Sequence, residues 1–196
     1  FMKRLIDILG GATGLLIIAP FSSIIAIAIK LESNGPVFVK LDRMSNGKII
    51  KVYKFRAMID AAHQMKNTLQ YLNERRDGPF FKIKNDPRLT IVGKYLRKFR
   101  LDEFPQLINV LKGELSLVGP RPHEPEEILR YPEKYKRLVL AKAGVTGYSQ
   151  INGASSLPFL KELELDNYYL QNQSIFFDLK IIGKTLAILF TDPTAI

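Results

Sequence analysis

The chain has 196 residues, 46% of them hydrophobic, 24% charged and 10% aromatic, which suits one compact domain rather than two and excludes a disordered tail. With no cysteine there can be no disulfide framework, thiolate zinc site or cysteine nucleophile, and the two histidines, His63 and His123, lie too far apart to suggest an imidazole metal site. Lys and Arg outnumber Asp and Glu by 29 to 19, a formal charge of +10, with +12 in the first hundred residues and −2 in the rest. That balance favours an anionic partner, whether nucleic acid, a membrane surface or a substrate with several phosphates, and composition does not choose among them.

Over residues 5–29 the only charged side chain is Asp7, and Lys3, Arg4 and Lys30 flank the run. As one straight helix it would extend about 37 Å, enough to cross a bilayer. Pro20 lies inside it and lacks the N–H that would bond Leu16, so a kink is expected near Ala19, with the hydroxyls of Ser22 and Ser23 satisfying freed carbonyls. The arm over residues 5–19 would reach about 22 Å, short of a hydrocarbon core of roughly 30 Å. A helix-break-helix that dips into the membrane and returns on the same side fits, and a kinked helix that spans fully is its rival. Basic residues at both ends favour placing both on the cytoplasmic side. No small-residue cleavage site follows, which argues against a secretory signal. A chain that begins Phe1-Met2 is expected to be a piece of a longer protein.

Beyond Lys30 no repeat or linker divides the chain, so residues 1–30 and 31–196 are expected as an anchoring segment and a single globular unit. Residues 37–43 and 49–55 are β-rich runs around Ser45-Asn46-Gly47-Lys48, a hairpin signal because Asn-Gly accepts positive φ at low cost. The hairpin is basic, carrying Lys40, Arg43, Lys48, Lys51, Lys54 and Arg56 against Asp42, and a solvated face explains that equally well. Residues 57–74 read as a polar surface helix, and residues 80–84 as a short strand after the Asp77-Gly78-Pro79 turn.

Seven cations, Lys82, Lys84, Arg88, Lys94, Arg97, Lys98 and Arg100, precede the acidic pair Asp102-Glu103, which opens a helix with Phe104, Leu107, Ile108 and Leu111 at helical spacing. The pair has two readings. It complements the macrodipole in a first helical turn, or it shares a divalent cation with phosphates held by the arginines. Further on, Gly119-Pro120-Arg121-Pro122 presents one guanidinium between prolines, with little freedom to lose on gripping a phosphate. Residues 175–190 form an apolar helix, read as an interfacial contact or a core helix. His63 and His123 read as surface or helix-start residues.

Several strings occur in order: Lys3-Arg4-x-x-Asp7, Val52-Tyr53-Lys54-Phe55-Arg56-Ala57-Met58, Lys84-Asn85-Asp86-Pro87-Arg88-Leu89-Thr90, Leu101-Asp102-Glu103-Phe104-Pro105-Gln106-Leu107, Asn109-Val110-Leu111-Lys112-Gly113 through Gly119-Pro120-Arg121-Pro122, Gly144-Val145-Thr146-Gly147 through Gln150-Ile151-Asn152-Gly153, and Leu163-Glu164-Leu165-Asp166-Asn167-Tyr168-Tyr169. Together they resemble the monotopic phosphoglycosyl transferases, bacterial sugar transferases, over nearly the whole chain. The resemblance implies a mostly helical α+β fold, with a re-entrant N-terminal membrane helix, a small basic hairpin and amphipathic interfacial helices around one active site. Residues 31–196 would then be the cytoplasmic catalytic domain, lying on the bacterial inner membrane. The implied reaction transfers a sugar 1-phosphate from a UDP-sugar to undecaprenyl phosphate, with Mg²⁺ as cofactor and UMP as product. Asp102 would be the nucleophile, with Glu103 and Asp102 on the metal. Arg97, Arg121, Lys54, Arg56 and Gln150 would bind substrate, and Lys3, Arg4, Asp7, Pro20, Ser22 and Ser23 would serve the membrane anchor. Membrane lipids and a homodimer are the expected partners, and nucleic acid is not.

The chain departs from the family pattern at Ala19, where Ser is usual before Pro20, at Ala143, where Pro usually precedes the Gly-Val-Thr-Gly loop, and at Ala154, where Arg usually follows Asn-Gly. Asp77-Gly78-Pro79-Phe80-Phe81-Lys82-Ile83-Lys84 resembles the larger members, which carry further N-terminal membrane helices and often use galactose or glucose donors. The rival readings account for less. A nucleic-acid-binding protein explains the charge but not the apolar N-terminus. An Asp-x-Asp glycosyltransferase lacks its motif here. A non-catalytic basic membrane-surface protein explains both and leaves Asp102 without a role.

Overall fold

The computed structural model describes residues 2–153 and 156–191; Ala154, one of the departures, lies outside them. The element order is α1 (Met2–Glu32), a hairpin of β1 (Phe38–Ser45) and β2 (Lys48–Phe55), α2 (Ile91–Lys98), α3 (Gln106–Lys112), β3 (Ser116–Val118), α4 (Pro125–Ile128), β4 (Gly144–Thr146), α5 (Phe159–Gln171) and α6 (Ile175–Thr191). The fold is mostly helical with very little sheet. β1 and β2 pair antiparallel from Phe38 opposite Phe55 to Ser45 opposite Lys48. Asn46 and Gly47 close them at φ 53° and 70°, the two positive values that a two-residue type I′ turn needs. β3 and β4 form a second, parallel pair.

The first helix differs from the expectation. It is one continuous α-helix of 31 residues with Pro20 inside it, so no non-helical break divides it, and only the bond that Pro20 cannot donate to Leu16 is missing from its ladder. The Ser22 hydroxyl donates to the carbonyl of Ile18 at 3.0 Å, a local bond that supports the turn around the proline. Leu9, Leu16, Ile17, Phe21, Ile24 and Ile27 stay exposed along α1, and only Asp7, Gly11, Ile18 and Ile29 are buried. Each such apolar side chain near a bilayer centre favours lipid by roughly 0.3–0.6 kcal/mol, so the exposed face prefers hydrocarbon by a few kcal/mol.

Both ends of α1 dock on the same globular body. At the start, Lys3 Nζ donates to Asp178 Oδ2 at 2.6 Å and to the Val118 carbonyl at 2.9 Å. Arg4 donates to the Val110 and Leu111 carbonyls at the C-terminal end of α3, where a cation also complements the helix dipole. The buried Asp7 carboxylate accepts the Leu117 N–H at 2.8 Å and the Ser116 hydroxyl at 2.8–2.9 Å. Gly14 faces α3 closely: an added Cβ would stand 2.6 Å from Leu107 Cδ1, which the leucine side chain would have to turn aside to admit. At the far end, Glu32 accepts the first N–H groups of α2, from Ile91 and, at 2.8 Å, Val92. Arg56 donates to the Ser33 and Asn34 carbonyls.

Three further expectations are corrected. Residues 57–74 form turns and two short 3₁₀ segments, Gln64–Lys66 and Gln70–Leu72, not a helix. Residues 80–84 form no strand: 80–83 are irregular and Lys84 opens a turn. Asn73 closes that loop, accepting the Lys82 N–H and donating to the Phe80 carbonyl. His123 is buried rather than on the surface, its ring 4.6 Å from that of Phe80 and 5.8 Å from that of Tyr131. Phe80, Tyr131, Tyr135, Leu138, Phe159 and Leu163 form one core cluster there. A second, of Val52, Leu107, Val110, Leu115 and Ala143, joins the hairpin to α3 and β4. α6 buries Ile181 against Val118, Ile151 and Tyr169 while leaving Phe176, Leu179 and Leu186 exposed, so it is part core helix and part exposed apolar face.

Candidate active site

The acidic pair sits where the chain reverses between α2 and α3. Arg100 adopts φ 54°, a left-handed conformation that costs a non-glycine residue about 1–2 kcal/mol, and Leu101–Glu103 form a single 3₁₀ turn behind it. Both acids lie in the first turn of this segment, where they complement its dipole. Leu101 and Phe104 pack inward on either side and carry Asp102 with them to 8% exposure.

Three elements bring cations to this turn. β2 supplies Lys54, whose Nζ lies 2.6 Å from Glu103 Oε1 and 4.0 Å from Asp102 Oδ2. The register between β2 and α3 is held by the fully buried Asn109, which accepts the Tyr53 N–H at 3.0 Å and donates to the Lys51 carbonyl at 2.8 Å. α2 supplies Arg97 in its last turn. Its N-terminus is capped by Thr90, and it lies so close to the chain after β2 that a Cβ on Gly93 would stand 1.8 Å from the Ala57 carbonyl. The turn after β3 supplies Arg121, 37% exposed at its side chain, with its backbone N–H donated to Asp166 Oδ2 at 3.0 Å. That turn rests on the loop after β4, where a Cβ on Gly147 would stand 2.2 Å from the Gly119 carbonyl.

The two carboxyls are driven apart. Burial pushes Asp102 up to about 6, a rise that Lys54 and Arg97 oppose and Glu103 reinforces. Burial also acts on Glu103, but Lys54 and Arg121 outweigh it and hold that carboxyl below its ordinary range. One acid is therefore a firmly ionised anchor and its neighbour a poorly solvated carboxylate. Two carboxyls within 4.0 Å of one cation, Lys54 Nζ, are of the type that suits a hard divalent cation of the Mg²⁺ kind, which takes one or two carboxylates and leaves its other positions to phosphate and water. Among the described residues no group of three or more His, Cys, Asp or Glu is placed to hold a metal by itself.

The structure thus brings together Lys54, Arg97, Asp102, Glu103 and Arg121, and leaves two expected residues apart. Arg56 is buried, with two of its nitrogens committed to the Ser33 and Asn34 carbonyls. Gln150 lies behind the Arg121 turn, donating to the Val145 carbonyl at 3.0 Å, with its Oε1 beside Gly147. At Ala143 the departure has a visible use: its N–H donates to Ser45 Oγ at 3.0 Å, a bond proline could not make, and Ser45 in turn donates to the Glu114 carbonyl. Sequence reasoning gave no role to Glu162, Asp166 or His123. Glu162 and Asp166 stand four apart on the same face of α5 as Phe159, Leu163 and Tyr169, and acids within an apolar helical stripe were the available signal. Burial raises Asp166 to about 6, with Ser149 and the Arg121 N–H acting against the rise.

A family profile described as bacterial sugar transferase matches residues 1–192. The chain belongs to that family. It is 40% identical over 188 residues to the galactosyl transferase CpsE of Streptococcus agalactiae serotype III, covering 95% of this chain and 41% of CpsE. It is 39% identical over 198 residues to the UDP-glucose:undecaprenyl-phosphate glucose-1-phosphate transferase of Escherichia coli, covering 94% of this chain and 39% of that protein. The exopolysaccharide production protein ExoY of Rhizobium meliloti is 35% identical over 188 residues, covering 94% of this chain and 83% of ExoY. The chain therefore spans about two fifths of the first two relatives and most of the third.

Proposed function

We propose that this chain is the catalytic unit of a phosphoglycosyl transferase that moves a sugar 1-phosphate from a UDP-sugar to undecaprenyl phosphate and releases UMP. Asp102 carries the reading: a carboxyl raised to about 6 is ionised at neutral pH yet poorly solvated, and it faces cations where a phosphate would sit. In the first step an Asp102 oxygen bonds to the β-phosphorus of the donor. The bond from that phosphorus to the bridging oxygen breaks, and UMP departs with the electron pair. A phosphate oxygen of the lipid then attacks the same phosphorus and returns Asp102 as a free carboxylate. Lys54, Arg97 and Arg121 hold and neutralise the phosphate oxygens through both steps. Mg²⁺, held by Glu103 and Asp102 with the substrate phosphates, would add charge neutralisation when bound.

The anchor supports the same reading. Because both ends of α1 are tied to one globular body, a helix that spans would have to pull one end away from its contacts, whereas a helix that enters only one leaflet keeps both. The exposed apolar faces of α1 and α6 then enter one leaflet, at the cytoplasmic face of the inner membrane, and bring Asp102 near the lipid phosphate. The names of the relatives include galactosyl and glucose-1-phosphate transferases, so the donor hexose is open to a panel. The test is UMP release in detergent or nanodiscs with undecaprenyl phosphate, Mg²⁺ and several UDP-sugars. Release from one donor, abolished by Asp102→Asn, is expected. Full activity in Asp102→Asn would overturn the nucleophile assignment.

A further inference from the structure

Arg121 leans on a buried acid that the reaction above does not use. Glu162 on α5 is 1% exposed, and its Oε1 lies 3.2 Å from His123 Nε2 and 3.8 Å from Arg121 Nε. A carboxylate is buried this completely only where cations face it. Burial pushes the Glu162 carboxyl up, and His123, Arg121 and Arg75 together bring it below its ordinary range; Asp166, one turn along α5, is the acid beside it. His123 is itself held between rings, tilted against Phe80 and edge-on to Tyr131, and Glu127 Oε2 lies 3.9 Å from its Nδ1. Arg121 thus meets one helix at two points, its backbone N–H bonded to Asp166 and its Nε in a 3.8 Å ion pair with Glu162, while its charge also acts on Glu103.

We propose that Glu162, fixed by His123, is a positioning residue for Arg121 and sets the direction from which the guanidinium meets substrate phosphate. The proposal rests on the reading of Arg121 as a phosphate ligand. A long, half-exposed arginine side chain would otherwise surrender rotamer freedom on each binding event, and a small misplacement near the reacting phosphorus is costly. Glu162 touches no substrate in this scheme and acts only through Arg121.

Two readouts test it. The first is a double-mutant cycle on UMP release by the whole chain in nanodiscs, with Glu162→Gln, Arg121→Ala and the pair. Glu162→Gln is expected to lower kcat/KM for the UDP-sugar roughly tenfold to a hundredfold in the wild-type background and by less than about twofold once Arg121 is gone, with Glu162→Asp recovering part of the loss. An equal loss in both backgrounds would mean that Glu162 only supports the fold, and would overturn the proposal. The second readout needs no substrate: phenylglyoxal labelling of Arg121, followed by mass spectrometry, is expected to be several-fold faster in Glu162→Gln. Unchanged labelling overturns the positioning role. If the wild type releases no UMP from any donor, the reaction assignment fails and the labelling alone decides the positioning. If Glu162→Gln does not fold, His123→Phe, which keeps an aromatic ring against Phe80 and Tyr131, replaces it in the labelling experiment with the same two outcomes.

Discussion

Replacing Asp102 by Asn should abolish UMP release and at the same time make the protein more stable at neutral pH. The carboxyl is ordinary in the unfolded chain, near 3.8, and is raised to about 6 in the fold, mainly by burial. Below pH 4 both states hold the proton and the group contributes nothing. Between pH 4 and 6 the unfolded chain releases its proton while the folded chain keeps it, so stability falls as pH rises; above 6 the penalty is complete. The full displacement corresponds to roughly 3 kcal/mol, and coupling to Glu103 brings the expected gain for the isosteric, uncharged Asn to about 1–3 kcal/mol. For a chain of this size that is a rise in Tm of roughly 2–10 °C at pH 7.5, shrinking to nothing by pH 4. With no tryptophan and eight tyrosines in the chain, near-UV circular dichroism in detergent micelles can follow the melting of both proteins across this range. A difference that does not change with pH, or a wild type more stable than Asp102→Asn at pH 7.5, would refute the claim that the fold holds this carboxylate at a cost.

The acid limb of the wild-type pH–rate profile should fall near pH 6, because Asp102 must be ionised to attack. Lys54→Met removes the cation that most lowers both carboxyls, so the limb should move up by roughly half a pH unit or more; a limb that stays in place would mean that Lys54 does not govern Asp102. At the docking of α1, Asp7→Ala leaves the Leu117 N–H and the Ser116 hydroxyl without their acceptor and should cost about 2–3 kcal/mol, with Asp7→Asn milder because one amide oxygen can still accept; thermal melting in micelles would detect either.

The parts legible from sequence were those fixed by local chemistry. Asn46-Gly47 supplies the two positive φ angles that close the hairpin, and the apolar spacing of Phe104, Leu107 and Leu111 marks the helix behind the acidic pair. Residues 57–74 misled because polarity without an apolar stripe gives a helix nothing to pack, and Ala61 at φ 59° breaks the run. Residues 80–84 have strand-like composition, but Phe80 is drawn into the ring cluster with His123 and Phe159, and the backbone is satisfied by Asn73. The burial of His123 and the commitment of Arg56 to the carbonyls after α1 depend on partners 39 and 23 residues away, at Glu162 and Ser33, and such pairings leave no local mark. Lys3, Arg4 and Asp7 were legible as a motif but not as what they are here, a clamp whose three side chains reach α6, α3 and β3.

That clamp gives α3 a mechanical role. Arg4 holds the carbonyls at one end of this helix, and the Asp102–Glu103 turn leads into the other. Seven residues of α-helix extend only about 10 Å, so the distance from α1 to Asp102 is set by one short rigid element rather than by a loop. Gly14 lets α1 lie against the flank of α3 at Leu107, and Asn109 ties the opposite flank to the strand that carries Lys54. A lipid phosphate is confined to the headgroup layer and cannot search in depth, so the proposed reaction would need its nucleophile brought to a fixed height. In the proposed reaction, packing α3 between the anchor and the hairpin would do this, with Gly14 and Asn109 on its two flanks setting how closely each neighbour lies.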